Sequence, residues 1–110
     1  MLFGVSLSKP LMMITQFHGI DGKCVTLKEA SKSNIIKKSN DWVRIFKEIA
    51  EALQHVHDRG LLHNDVKSDN VIITDCFRPV LIDFGKSRKI ENAKLYKLCK
   101  EEQLLYKNKY

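Results

Sequence analysis

The sequence has little of what marks a secreted or membrane-spanning chain. Its cysteines, Cys24, Cys76 and Cys99, are odd in number and form no Cys-x-x-Cys pair. That argues against a disulfide framework or a zinc site, and for a reducing compartment. No apolar run approaches the ~20 residues needed to cross a bilayer. The apolar start, MLFGVSLSKPLMMITQF, lacks a basic lead and is broken at Lys9-Pro10, so it reads as two strands and not as a signal peptide. Internal repeats and low-complexity stretches are absent. The expectation is a soluble, cytoplasmic chain of 110 residues, about one small domain with a modest core.

The net charge of +6 is uneven. Residues 1–85 hold 11 Lys/Arg against 10 Asp/Glu, while residues 86–110 hold 8 against 3. A basic tail can meet nucleic acid or acidic lipid, but this one has no Arg-rich block and no repeated aromatic platform. It reads as a solvated segment, with neither a nucleic-acid nor a membrane partner expected.

Residues 2–7 and 11–17 are short apolar runs around Ser8-Lys9-Pro10, the pattern of two strands and a turn. His18 to Lys23 is a turn-rich break. Thr26 with Glu29 forms a Thr-x-x-Glu capping box that opens a short helix. Ser31 to Asn40 is polar and basic, a loop with an Ile35-Ile36 contact. The strongest helical signal follows, since Trp42, Ile45, Phe46, Ile49, Ala52, Leu53 and Val56 recur at the spacing of one apolar helix face. Ser39 or Asn40 is placed to cap its start and Gly60 to end it in a left-handed turn. His55 and His57 are two apart and point in different directions, so they make a poor metal pair. Val71-Ile72-Ile73 and Val80-Leu81-Ile82 read as strands joined by a turn over Thr74 to Pro79, which would bring Asn70 and Asp83 close together.

Between His63 and Gly85 the chain reads HNDVKSDNVIITDCFRPVLIDFG. His63, Asp65, Lys67 and Asn70 stand at offsets 0, 2, 4 and 7, and Asp83-Phe84-Gly85 begins 18 residues after Asp65. Any of the polar residues alone would suit a capped turn or a solvated hairpin end. Seven specified residues in this order and spacing resemble the catalytic loop and the metal-binding Asp-Phe-Gly element of the protein kinases.

The resemblance implies an α/β (α+β) fold, mainly the helical larger lobe of a kinase with β-hairpins. Residues 1–18 would be the last small-lobe strands and the hinge, residues 19–85 the larger lobe through the Asp-Phe-Gly element, and residues 86–110 the activation segment. It implies ATP and Mg²⁺ as cofactors and transfer of phosphate to serine or threonine of a protein substrate, Lys67 favouring that class over tyrosine kinases. Asp65 would orient the acceptor hydroxyl and take its proton, and Lys67 would contact the transferring phosphoryl group. Asn70 and Asp83 would hold the metal. Thr15 would sit at the back of the adenine pocket, with Gln16, Phe17 and His18 as the hinge. His63 would support the loop and take no part as a base.

Two departures qualify the resemblance. Asn64 stands where many kinases have an Arg that holds a phosphorylated activation loop, so activity is expected not to depend on phosphorylation read there. A Gly-x-Gly-x-x-Gly loop, a β3-type lysine, its glutamate partner and an Ala-Pro-Glu-like element are all absent from these residues. With the short length, this suggests a partial or reduced kinase domain. A partner would supply or replace the missing lobe, and the chain alone is expected to bind ATP weakly. The alternatives are a non-catalytic, pseudokinase-like interaction module and a small-molecule phosphotransferase of the same superfamily.

Overall fold

The computed structural model describes residues 1–92. Most of the expected activation segment, residues 93–110 with Cys99 and the three tyrosines, lies outside the described residues. Strands β1 (Leu2–Val5) and β2 (Met13–Thr15) form an antiparallel pair with a bulge between Leu2 and Gly4. Both are shorter than the apolar runs that encode them. The Ser6 side chain takes over the turn, its hydroxyl donating to the Pro10 carbonyl and accepting from the Met12 N–H.

The chain then makes a tight turn in which Ile20 and Lys23 exchange both backbone hydrogen bonds at 2.9 Å. Asp21 and Gly22 occupy its corner with positive φ, the geometry an Asp-Gly pair favours. A Cβ on Gly19 would run into the carbonyl of Lys23, so only glycine lets the backbone close here.

Helix α1 (Leu27–Ser33) opens on the expected capping box. Thr26 Oγ1 accepts the Glu29 N–H while the Glu29 carboxylate accepts the Thr26 N–H, each at 3.2 Å. Helix α2 (Ser39–Asp58) follows the apolar periodicity. Its start differs from expectation. Lys38 is the N-cap and makes no side-chain cap bond; Ser39 and Asn40 fall one and two residues too late and lie inside the helix. Trp42 braces that end instead, its indole N–H donating to the Ile36 carbonyl at 3.1 Å. The other end is as expected, with Gly60 at φ +74° and its N–H on the His57 carbonyl.

The core gathers Leu27 and Ala30 of α1, Ile36, Ile45 of α2, and Val71 and Ile73. Strand β4 (Val71–Ile73) is buried along its whole length. It pairs antiparallel with β5 (Pro79–Leu81) on one edge. On its other edge Thr26 bridges Ile72, and the Ile73 N–H donates to the Val25 carbonyl. With both faces buried, a strand needs a continuous apolar run and not an alternating one. Phe46 departs from the expected buried face: it is more than half exposed. It stacks on Trp42 beside an apolar groove between α1 and α2.

Candidate active site

After Gly60, the short strand β3 (Leu61–Leu62) leads into the polar loop. It pairs antiparallel with β6 (Arg88–Lys89), and the Ile90 N–H donates to the Gly60 carbonyl. The chain on the far side of Gly85 is thereby brought back alongside the loop. The loop itself closes in a 3₁₀ turn, Ser68–Asn70, directly before β4.

His63 is the hub. Its residue is 1 % exposed, and both ring nitrogens are engaged. Nδ1 accepts the Asp65 N–H at 3.1 Å, so Nε2 carries the proton and donates to the Ile82 carbonyl at 2.8 Å. Its ring also meets Phe84 edge-on, with centroids 4.7 Å apart. One imidazole therefore ties the backbone of Asp65 to the residue before Asp83. A buried ring saturated in this way is unsuited to act as a base, in keeping with the supporting role read from the sequence.

Around Asp65 the contacts are denser. Asn70 is buried, and its Nδ2 donates to the Asp65 carbonyl at 2.8 Å and to Asp65 Oδ2 at 3.0 Å. Lys67 Nζ lies 3.8 Å from Asp65 Oδ1, and Lys86 Nζ lies 3.7 Å from the same oxygen. Both lysines are mostly exposed, so each pair contributes at most about 1 kcal/mol to stability. The second lysine was not anticipated from the sequence, and neither was the part played by Asn64. Asn64 takes φ +64°, which asparagine tolerates better than most residues, and its Nδ2 donates to the Lys86 carbonyl at 3.2 Å. The available signal was an Asn at a sharp turn and a Lys directly after the Asp-Phe-Gly element.

Asp83 is exposed two residues past β5 and also sits at positive φ, +62°. Its Oδ1 accepts the Gly85 N–H at 3.1 Å. A left-handed aspartate costs of order 1 kcal/mol and persists where surrounding structure holds it. Here the holders are the His63–Ile82 bond on one side and, on the other, Ser87, whose N–H and hydroxyl both donate to the Phe84 carbonyl.

Donor chemistry at Asn70 and Asp83 fits a hard divalent cation. The amide nitrogen of Asn70 is committed to Asp65, which leaves its carbonyl oxygen as the outward donor. Asp83 supplies a carboxylate with one oxygen beyond its turn bond. A neutral and a charged oxygen, completed by phosphate oxygens and water, suit Mg²⁺. A cluster of three or more His, Cys, Asp or Glu of the kind that binds metal unaided is absent among the described residues.

An open cleft of about 690 Å³ separates the first hairpin from the Asp-Phe-Gly turn. Thr15, Gln16 and His18 line one side, and Ile82, Asp83 and Phe84 line the other. Phe17 does not line it, and is exposed. The Gln16 N–H is occupied by the Met1 carbonyl at 2.8 Å. Phe17 and His18 have no backbone hydrogen-bond partner among the described residues.

Two mixed-class features, a helix-packed hairpin carrying a His-x-Asp-x-Lys-x-x-Asn loop and an Asp-Phe-Gly turn bound to it through His63, define the class as protein kinase. The family described as the protein kinase domain matches residues 7–104, and the chain belongs to that family. Over 84 residues it is 32% identical to the serine/threonine-protein kinase mig-15 of Caenorhabditis elegans, covering 76% of this chain and 7% of that protein. It is 48% identical over 50 residues to a probable LIM domain-containing serine/threonine-protein kinase of Dictyostelium discoideum, covering 46% of this chain and 8% of that one. A mouse PAS domain-containing serine/threonine-protein kinase is 36% identical over 52 residues, 47% of this chain and 4% of that protein. The chain thus spans less than about a tenth of the length of these curated relatives. Among the described residues, no helix is long and apolar enough to cross a membrane.

Proposed function

We propose that this chain is the middle of a kinase domain that transfers the γ-phosphoryl group of ATP, with Mg²⁺, to serine or threonine hydroxyls of a protein. Residues 1–18 are its last small-lobe strands and hinge, residues 19–85 its larger lobe through the Asp-Phe-Gly element, and residues 86–110 its activation segment. The observation that carries the reading is the convergence on Asp65: a carboxylate fixed by Asn70 on one oxygen and faced by Lys67 on the other, tied through His63 to the chain bearing Asp83.

In the reaction the acceptor oxygen forms a bond to the γ-phosphorus while the bond from that phosphorus to the β-bridging oxygen breaks. The bonding electrons leave with ADP, and the acceptor proton passes to Asp65. Asp65 needs a fixed direction for this, and Asn70 supplies it. Lys67 places positive charge beside the phosphoryl oxygens. Asn70 and Asp83 would hold Mg²⁺, which when bound neutralises phosphate charge. The open backbone groups of His18, which lines the cleft, would receive the adenine edge, with Gln16 beside it; Phe17 lies outside the cleft and would join them only on turning inward. Serine/threonine relatives support that choice of acceptor.

A second reading, an interaction module without catalysis, draws support from the first hairpin. Leu2, Phe3, Met13 and Ile14 are each more than half exposed on its faces. A surface so apolar fits a covering partner, or a further stretch of kinase domain, that supplies the rest of the small lobe. Titration of the chain with ATP, with and without Mg²⁺, separates the two readings. Phosphoryl transfer requires Mg²⁺-dependent ATP binding that Asp83→Asn weakens at least tenfold. Binding of neither ATP nor Mg·ATP leaves the interaction module.

A further inference from the structure

Lys86 is unused by the chemistry above, yet it is anchored more firmly than an ordinary surface lysine. Its carbonyl accepts from Asn64 Nδ2 at 3.2 Å, and Asn64 is the neighbour of Asp65. The next residue, Ser87, closes the turn onto Phe84, and the two after that pair with β3. The backbone of Lys86 is thus fixed on both sides, and its ammonium group reaches Asp65 Oδ1 at 3.7 Å. Lys67 reaches the same oxygen at 3.8 Å from the opposite end of the loop. Neither distance is that of a tight hydrogen bond, so both ammonium groups keep donors for another anion.

By formal charge, Asp65 and Lys67 cancel. The addition of Lys86 makes the trio net positive. A phosphoryl group brought next to a bare carboxylate would be repelled. Next to a net cation it is attracted, and the attraction is greater for a terminal phosphate than for one buried within the nucleotide. We propose that Lys86 is a second phosphate-contacting residue, which with Lys67 receives the terminal phosphoryl group of a nucleoside triphosphate beside Asp65. This rests on the phosphoryl-transfer reading and adds a residue to it. Lys86 serves from the segment after Gly85, and Asn64 holds that segment in place without a charged side chain.

The test is calorimetric titration of the whole chain with Mg²⁺ and either ADP or the non-hydrolysable imido analogue of ATP. Lys86→Met, Lys86→Gln and Lys86→Arg are compared with the parent. The parent is expected to prefer the triphosphate. Met and Gln should each lose roughly five- to tenfold of that preference, tenfold being about 1.4 kcal/mol, with ADP affinity unchanged. Arg should retain it. A merely structural lysine would weaken both nucleotides alike, and that result overturns the proposal, as does an unaltered triphosphate-to-diphosphate ratio in Met and Gln. In either case nucleotide binding by the parent leaves the phosphoryl-transfer reading standing. Absence of nucleotide binding in the parent removes both.

Discussion

His63→Leu tests how the loop and the Asp-Phe-Gly turn are joined. Leucine is close to histidine in size, so the cavity term is small, but it offers neither an acceptor nor a donor. The Asp65 N–H and the Ile82 carbonyl, now satisfied at 3.1 and 2.8 Å, would both be left without their partner at a site 1 % exposed. Each orphaned buried group costs about 1–3 kcal/mol. The added apolar burial offsets about 1–2 kcal/mol of the sum, leaving a net loss of roughly 1–4 kcal/mol. For a domain of this size that corresponds to a fall in Tm of roughly 5–25 °C. Two further variants divide the effect. His63→Asn keeps an acceptor near the Nδ1 position and His63→Gln a donor near Nε2, so each should recover about half of the loss. Thermal unfolding followed by circular dichroism gives the stabilities, and hydrogen exchange at the Asp65 amide reports the local bond. If His63→Leu melts within ~2 °C of the parent with the Asp65 amide equally protected, the hub does not exist as described.

The glycines separate steric from conformational cost. At Gly60, φ is +74° and a new Cβ meets nothing within 4 Å, so Gly60→Ala should cost only the left-handed penalty of about 1 kcal/mol. Gly19→Ala drives a Cβ into the Lys23 carbonyl and should cost about 1–3 kcal/mol as the turn shifts; urea melts showing Gly60→Ala as the more damaging change would contradict this ordering. Ser87→Asp bears on regulation. The Ser87 hydroxyl donates to the Phe84 carbonyl at 2.6 Å, a bond a carboxylate cannot make, and Asn64 offers no charge to hold an added anion. Nucleotide binding by this variant should be equal to the parent's or weaker, and an increase of more than ~3-fold would show that charge in the segment is read by some other group.

Much of the fold is legible because its local signals agree with its packing. The capping box at Thr26 and Glu29, the apolar face of α2 and the left-handed stop at Gly60 are short-range features, and the chain adopts each of them. The Val71–Ile73 run is legible as a strand, but its second neighbour is not. The bridge from Thr26 to Ile72 joins residues far apart in sequence through backbone atoms, which leave no side-chain pattern. Phe46 misleads because periodicity tells which residues share a face, whereas the cover on that face depends on what packs there. Phe77 was equally hidden, since a bulky residue at φ +52° is expected nowhere from propensity. It takes that geometry while packing against the core.

At the candidate site, spacing identified the polar residues and could not say how they are held. The direction of the Asn70 amide and the tautomer of His63 depend on which backbone and carboxylate groups of Asp65 and Ile82 the fold brings to them, and the arrival of Lys86 at Asp65 depends on the return of the chain after Gly85 along β3. At Asn64 the sequence tells only what the side chain cannot do by charge. In the fold it also makes a neutral bond to the carbonyl of Lys86, which anchors that segment without any phosphate.

The central claim is that Asp65 serves a phosphoryl transfer. Incubation of the chain with γ-labelled ATP, Mg²⁺ and a generic protein acceptor, beside Asp65→Asn, addresses it most directly. Asparagine keeps the size of the side chain and an oxygen for Asn70 but cannot take the acceptor proton. The account predicts label on serine or threonine with the parent and at least ~100-fold less with Asp65→Asn, at a nucleotide affinity equal to the parent's or higher. Equal transfer by the two proteins, or none by a parent that binds Mg·ATP beside its acceptor, would contradict it.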